Sequence, residues 1–113
     1  MSHFAKYTDE DLIKLLNDSN KDAFTELYNR YHKLVYGYLF AQLESPQHTQ
    51  DMLHEVFMKI WEIRMRLELK SSFTAYLFRI CHNKVVDFSR KRATERLFRE
   101  ELKNQYDEMD QYQ

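Results

Sequence analysis

Apolar positions recur at steps of three and four along most of this chain, which is a helical pattern rather than a strand pattern. Leu12, Leu15 and Leu16 mark a first helix from about Asp9 to Asp18. Thr8 can cap it, and Asp9, Glu10 and Asp11 suit its N-terminal dipole. Phe24, Leu27, Tyr28, Tyr31, Leu34, Val35, Tyr38 and Leu39 form the core stripe of a second helix, about Lys21 to Leu43, with Asn20 as its cap. Gly37 interrupts that helix at a cost of roughly 1 kcal/mol relative to Ala, which a close helix crossing would explain. Ser45-Pro46, a cap followed by proline at the first helical position, opens a third helix that should run to about Arg66.

At ~100° per residue, Leu53, Val56, Phe57, Ile60 and Ile63 gather on one side of the third helix. Asp51, His54, Glu55, Met58 and Glu62 gather on the other, with Trp61 on the shoulder. Leu67–Ser71 breaks the periodicity and reads as a loop, with Ser71 or Ser72 capping a fourth helix. There Leu77, Ile80, Cys81, Val85 and Phe88 form the core side, and Tyr76, Arg79, Asn83, Asp87 and Arg90 a stripe facing away. The third and fourth helices should pack through these two apolar stripes. From about Ala93 the chain is charged; Leu97 and Phe98 can extend the helix before it frays through Asp107–Gln113.

The expected fold is therefore all-α: a compact bundle of three long helices plus a short N-terminal helix, with a charged C-terminal linker or helix extension. Composition agrees. A single Gly and a single Pro leave too few turn residues for an all-β fold. With 113 residues and 43% apolar content the chain can form one domain with a modest core. Lone Cys81 excludes an intrachain disulfide and suits a reducing cytoplasm. No signal peptide and no membrane-length apolar run is present, so a cytoplasmic location without membrane insertion is expected.

Net charge is −1, but its distribution is uneven. Residues 1–57 carry five Lys/Arg against nine Asp/Glu, residues 58–92 nine against three, and residues 93–113 three against six. A basic block lies between two acidic ones, an electrostatic footprint for a polyanion.

The acidic stripe of the third helix reads either as a solvated face or, given Met58 among the carboxylates, as a protein interface. His54-Glu55-Val56-Phe57-Met58 opens like a zinc-protease motif, but Met58 stands where the second His is required. The five His are scattered, and neither a metal nor any other cofactor is expected. No nucleophile triad or phosphate-binding glycine loop is present, so enzymatic chemistry is not expected.

Arg90-Lys91-Arg92 can serve simply as a helix C-terminus that favours cations. Arg79, Lys84, Arg96 and Arg99 lengthen it into a basic ridge suited to phosphates, interrupted by Asp87 and Glu95. Phe73 and Tyr76 would add flat surfaces for unpaired bases, worth ~1–3 kcal/mol per base; alternatively they complete the core. The amide of Asn83, on the same stripe as Tyr76, can read a base edge.

Taken in order, Asp22-Ala23-Phe24-x-x-Leu27-Tyr28-x-x-Tyr31, Asp51-x-Leu53-x-Glu55-Val56-Phe57-x-x-x-Trp61 and Tyr76-Leu77-Phe78-Arg79-Ile80-x-x-Asn83-x-x-x-Asp87-Phe88-x-Arg90-Lys91 resemble the second conserved region of bacterial RNA polymerase sigma factors. The class they are most similar to is the extracytoplasmic-function (ECF) sigma factors, with the likeness running from Asp11-Leu12 to Arg92. The resemblance implies that the third helix docks on the clamp helices of the polymerase's largest subunit through Asp51, His54, Glu55, Met58 and Glu62. His54 stands where the family usually has Gln.

The resemblance further implies that the fourth helix and its preceding loop hold the non-template strand of the promoter minus-ten element, with one base flipped into a pocket. The residues matched are Leu67, Glu68, Leu69, Lys70, Ser71, Ser72, Phe73, Tyr76, Arg79, Asn83, Lys84, Asp87, Arg90 and Lys91. Tyr76 replaces the more usual Trp. Tyr76, Asn83 and the loop should line that pocket together.

An anti-sigma factor is a further partner implied by the likeness. Residues 1–92 would form the region-two domain and residues 93–113 a helix extension and interdomain linker. Family members carry a further helix-turn-helix domain that reads the upstream promoter element; its absence here is expected to reflect truncation in the linker, the alternative being a single-domain member. Two functions remain from the residues: a transcription-initiation factor that binds polymerase and melts promoter DNA, and a helical protein–protein adaptor that never touches DNA. A nucleic-acid enzyme is a weaker third, opposed by the lack of a metal or phosphate motif.

Overall fold

The structure, a computed structural model, describes residues 3–111, with side chains described through residue 109. Tyr112 and Gln113, at the end of the expected linker, lie outside the described residues, as do Met1 and Ser2 at the start of the expected domain. The described chain is all-α: α1 Asp9–Asn17, α2 Lys21–Leu43, α3 Pro46–Glu62, a short 3-10 turn Arg64–Arg66, and α4 Phe73–Gln111.

Each helix starts where a local side chain can satisfy its orphan amides. Thr8 and Asp11 form a reciprocal capping box, with both hydrogen bonds at 3.1 Å. Asn20 Oδ1 accepts from Ala23 N at 2.9 Å, Ser45 Oγ from His48 N at 3.3 Å ahead of Pro46, and Ser72 Oγ from Ala75 N at 3.1 Å. Two ends are closed by residues in the left-handed region, Ser19 after α1 (φ 64°) and Glu44 after α2 (φ 55°). Neither is glycine, so each stores a modest backbone cost.

The core is one cluster drawn from every helix. Leu12, Leu16, Leu27, Val35, Leu39, Val56, Ile60, Phe73, Leu77 and Cys81 are almost wholly enclosed. The α3 stripe of Leu53, Val56, Phe57, Ile60 and Ile63 is buried as the periodicity requires, joined by Met52. On α4, Leu77, Cys81 and Val85 are buried, while Ile80 and Phe88 are half-buried against the cluster. Burial pushes the Cys81 thiol up to about 11.

An ionic and hydrogen-bonded knot fastens α1 to α2. Arg30 bonds Asp9 at 3.0 Å and Glu26 at 3.1 Å, and donates to the carbonyls of Phe4 (3.0 Å) and Tyr7 (2.6 Å). Burial works against its charge, but the carboxylates of Glu26 and Asp9 outweigh that and raise its pKa. Tyr31 O–H donates to Asp9 and accepts from Thr74 Oγ1 at 3.3 Å, while its ring meets Phe73 edge-on at 5.3 Å. Burial, then the Asp9 bond, raises the Tyr31 pKa.

Four sequence expectations change. Helix α3 stops at Glu62 rather than near Arg66, because the backbone turns at Ile63 (ψ 5°) to carry Ile63 and Leu67 into the core. Leu34 is 60% exposed rather than part of the core stripe. It lies on the flank of α2 that α1 covers, and that cover ends where Asp9 meets Arg30 and Tyr31. No close crossing explains Gly37, since a Cβ added there meets nothing within 4 Å. Finally, α4 continues as the expected helix extension through Leu97 and Phe98, but it runs unbroken to Gln111 where the sequence predicts fraying from Asp107; Leu97, Phe98, Leu102, Tyr106 and Met109 are exposed along it.

Candidate functional site

Two outer surfaces meet along the α3–α4 seam. On α3, Asp51, His54, Glu55, Met58 and Glu62 are all exposed, with Met58 54% accessible among the carboxylates. A helix that sends Met52, Leu53, Val56, Phe57 and Ile60 inward must send this set outward. Gln50 Nε2 and His54 Nε2 share a hydrogen bond of 3.2 Å across one turn, which steadies the imidazole at the centre of the stripe.

On α4, Arg79, Asn83, Asp87, Arg90 and Lys91 are exposed. Among the described residues no ion pair engages Arg79, Arg90 or Lys91, so their charge faces solvent and is open to phosphates. Arg92 lies over the Phe88 ring at 5.5 Å. Lys84 differs: it is half-buried, and its ammonium lies 3.9 Å from Glu55 on α3. The pair closes one side of a cleft of about 240 Å³ lined by Met52, Glu55, Lys84, Asp87, Phe88 and Lys91.

The loop ahead of α4 forms a larger cleft, about 400 Å³, lined by Glu68, Leu69, Lys70, Ser71, Tyr76 and Arg79. Its chemistry is mixed in a useful way. Leu69 and the half-buried Tyr76 ring offer an apolar wall. Ser71 can donate or accept, Glu68 accepts only, and Lys70 and Arg79 bring positive charge. An unpaired base with its phosphate needs that combination.

A sigma-70 region 2 family matches residues 27–95, which takes in most of α2, all of α3, the loop and the first half of α4. The chain belongs to that family. Within it the chain is a region 2 domain of the ECF sigma-factor class. It is similar to the ECF RNA polymerase sigma factor SigX of Bacillus subtilis (strain 168), 30% identical over 74 residues, covering 66% of this chain and 38% of SigX. It is also similar to ECF sigma factor SigK of Mycobacterium sp. (strain KMS), 28% identical over 82 residues, covering 71% and 42%. For SigW of Bacillus subtilis (strain 168) the identity is 24% over 80 residues, covering 71% and 43%. The chain thus spans about two fifths of the length of these curated relatives. No solved structure gives a significant match.

Within this region 2 domain, the residues expected at the DNA face do not all reach it. Phe73 is 1% exposed and packs on Tyr31, so it offers no face to a base. Leu67 is 4% exposed and is likewise core. Both carry the loop from beneath: burying the residue at each end fixes where Glu68–Ser72 stands. Ser72 is occupied as the cap of α4.

Asn83 does not line the loop cleft with Tyr76. Seven residues further on, it stands roughly 10 Å along the helix axis, in a separate groove with His82, Val86, Asp87 and Arg90. The shared stripe is real, but it holds two recesses.

Contacts that sequence reasoning missed come from α1. Asn17 Nδ2 donates to the carbonyls of Arg64 (2.7 Å) and Leu67 (3.2 Å), and Arg64 Nε donates to Ser19 Oγ at 2.8 Å. Arg64 also covers the Trp61 ring at 4.1 Å and donates to the Trp61 carbonyl at 2.9 Å. No periodicity marks Asn17, because its partners lie 47 and 50 residues away. Among the described residues no cluster of His, Cys, Asp or Glu could hold a metal, and no helix is long and apolar enough to cross a membrane.

Proposed function

We propose that this domain acts in transcription initiation by joining RNA polymerase to promoter DNA. The α3 stripe of Asp51, His54, Glu55, Met58 and Glu62 docks on the clamp helices of the largest subunit. The loop cleft receives a flipped base of the minus-ten non-template strand, against Tyr76 and Leu69, with Glu68, Lys70 and Ser71 around its edge. Arg79, Lys84, Arg90 and Lys91 hold the phosphates that flank it, and Asn83 with Asp87 meets a second base in the neighbouring groove. The observation that carries the reading is the cleft of mixed apolar, hydroxyl and charged lining placed at the head of a ridge on which Arg79, Arg90 and Lys91 make no ion pair among the described residues, while Lys84 is shared with Glu55.

Flipping a base costs a few kcal/mol of unstacking. Stacking on Tyr76, worth ~1–3 kcal/mol, together with phosphate contacts, is of the size needed to offset it. The test is promoter opening by RNA polymerase reconstituted with this protein. Tyr76→Ala is expected to abolish preference at one template position, while Arg90→Ala and Lys91→Ala weaken opening on all templates and flatten its salt dependence. Asp51→Arg combined with Glu55→Arg should release the protein from the clamp helices with the fold intact. Unchanged clamp binding by that double variant, or unchanged template preference with Tyr76→Ala, overturns the assignment of the corresponding face.

A further inference from the structure

Helix α1 precedes the residues matched by the sigma-70 region 2 family, yet it makes the most direct polar contact with the backbone that enters the loop cleft. A primary amide has two N–H donors, and Asn17 sends both to carbonyls, one in the 3-10 turn and one at Leu67. Both carbonyls lie in the connection between the end of α3 at Glu62 and the start of α4 at Phe73. The next residues in the chain, Glu68, Leu69, Lys70 and Ser71, line the cleft.

The tie is braced on both sides. Ser19, turned outward by its left-handed backbone, receives Arg64 Nε, and Arg64 is stacked on Trp61. Leu67 is buried immediately beyond the second hydrogen bond. The backbone at the loop's entry is therefore fixed by one side chain of α1, while of the residues that follow Glu68, Lys70 and Ser71 are exposed and Leu69 is half-buried against the core.

We propose that Asn17 is a positioning residue for base selection: its amide sets the height and direction of the Glu68–Ser71 loop, and through it the shape of the base cleft. The proposal rests on the reading of that cleft as the site of an unpaired base. Asn17 does not touch DNA in this scheme. It acts through Arg64 and Leu67, so its loss alters which base is preferred rather than whether DNA is held.

The experiment uses RNA polymerase reconstituted with this protein, on promoter templates varied one base at a time through the minus-ten element. The variants are Asn17→Ala and Asn17→Asp, compared with Lys70→Ala and Tyr76→Ala at the cleft itself. Asn17→Asp keeps the side chain's size but presents acceptors to the two carbonyls. Both Asn17 variants are expected to reduce preference by about threefold to tenfold, a part of what one base contact confers. The reduction should fall at the position that Lys70→Ala and Tyr76→Ala alter, with polymerase affinity and other positions unchanged. Hydrogen exchange at residues 65–71 of the same chain should rise about tenfold, without change in the core of α2 and α3.

An equal loss on every template makes Asn17 a general structural tie and overturns the proposal, as does failure of both variants to fold. Unchanged preference with Asn17→Ala, where Lys70→Ala and Tyr76→Ala do change it, overturns the proposal and leaves the cleft assignment standing. Unchanged preference with all four variants removes the cleft assignment and this inference with it.

Discussion

Phe73 separates two accounts of the head of α4, and truncating it distinguishes them. The ring is 1% exposed and packs edge-on against Tyr31 at 5.3 Å. Phe→Ala at a site so enclosed costs about 3–5 kcal/mol, part of it the ~0.5–1.5 kcal/mol of the aromatic pair. A domain of this size holds only about 5–15 kcal/mol in total. Phe73→Leu keeps most of the volume and should cost on the order of 1–2 kcal/mol.

Urea unfolding followed by Trp61 fluorescence reads this cleanly. Trp61 is the chain's one tryptophan, half-buried against Phe24 at 5.3 Å and covered by Arg64, so it reports on the bundle and not on the distal half of α4. With a slope of about 1–3 kcal/mol per molar urea, Phe73→Ala should lower the midpoint by at least about 1 M or leave the chain unfolded. Phe73→Leu should lower it by a fraction of that and leave template preference unchanged. A Phe73→Ala chain with an unshifted midpoint but altered base preference would show the ring outside, stacking on DNA, and would refute the packing described here.

Gly37→Ala should stabilise the domain by about 0.5–1 kcal/mol, because the position is helical and open and Ala restricts the unfolded chain; a lowered urea midpoint would reveal a neighbour at that site. Iodoacetamide at pH 8 should modify Cys81 only as fast as the core opens, since burial holds the thiol protonated to about 11; rapid labelling of the folded chain contradicts this. Hydrogen bonds from the Thr8 backbone and then its side chain lower the pKa of Asp11. The folded value is below the unfolded one, so this contribution is present above the unfolded pKa and is lost as pH falls through the folded one. Protection of the first-turn amides of α1, taken relative to their intrinsic exchange rate at each pH, should therefore fall in acid, and Asp11→Asn should remove that acid dependence.

The helix starts were legible because a cap and its target lie three residues apart: Thr8, Asn20, Ser45 and Ser72 announce themselves locally. Phe73 was legible too, since it stands four residues before Leu77 and eight before Cys81, in phase with the buried side. Its aromatic type drew the other interpretation. Leu34 required knowing how far α1 runs along α2, a tertiary length that no stripe on α2 encodes. Tyr76 and Asn83 show a related limit: periodicity assigns residues to a face but not to the same recess along it. The Asn17 contacts and the Lys84–Glu55 pair join distant segments through polar groups, for which hydrophobic patterning has no signal.

The unbroken course of α4 has a hydrodynamic consequence. Its distal half leaves the bundle, and the whole measures 72 × 26 × 22 Å with a radius of gyration of 20.0 Å. A compact chain of this length would have a radius near ~13 Å. A single copy therefore tumbles as a rod: it should elute early from a sizing column and show anisotropic rotational diffusion in spin relaxation. A sizing column therefore overstates the mass of a single copy, and light scattering or sedimentation equilibrium, which read mass directly, separate elongation of the 13.9 kDa chain from association.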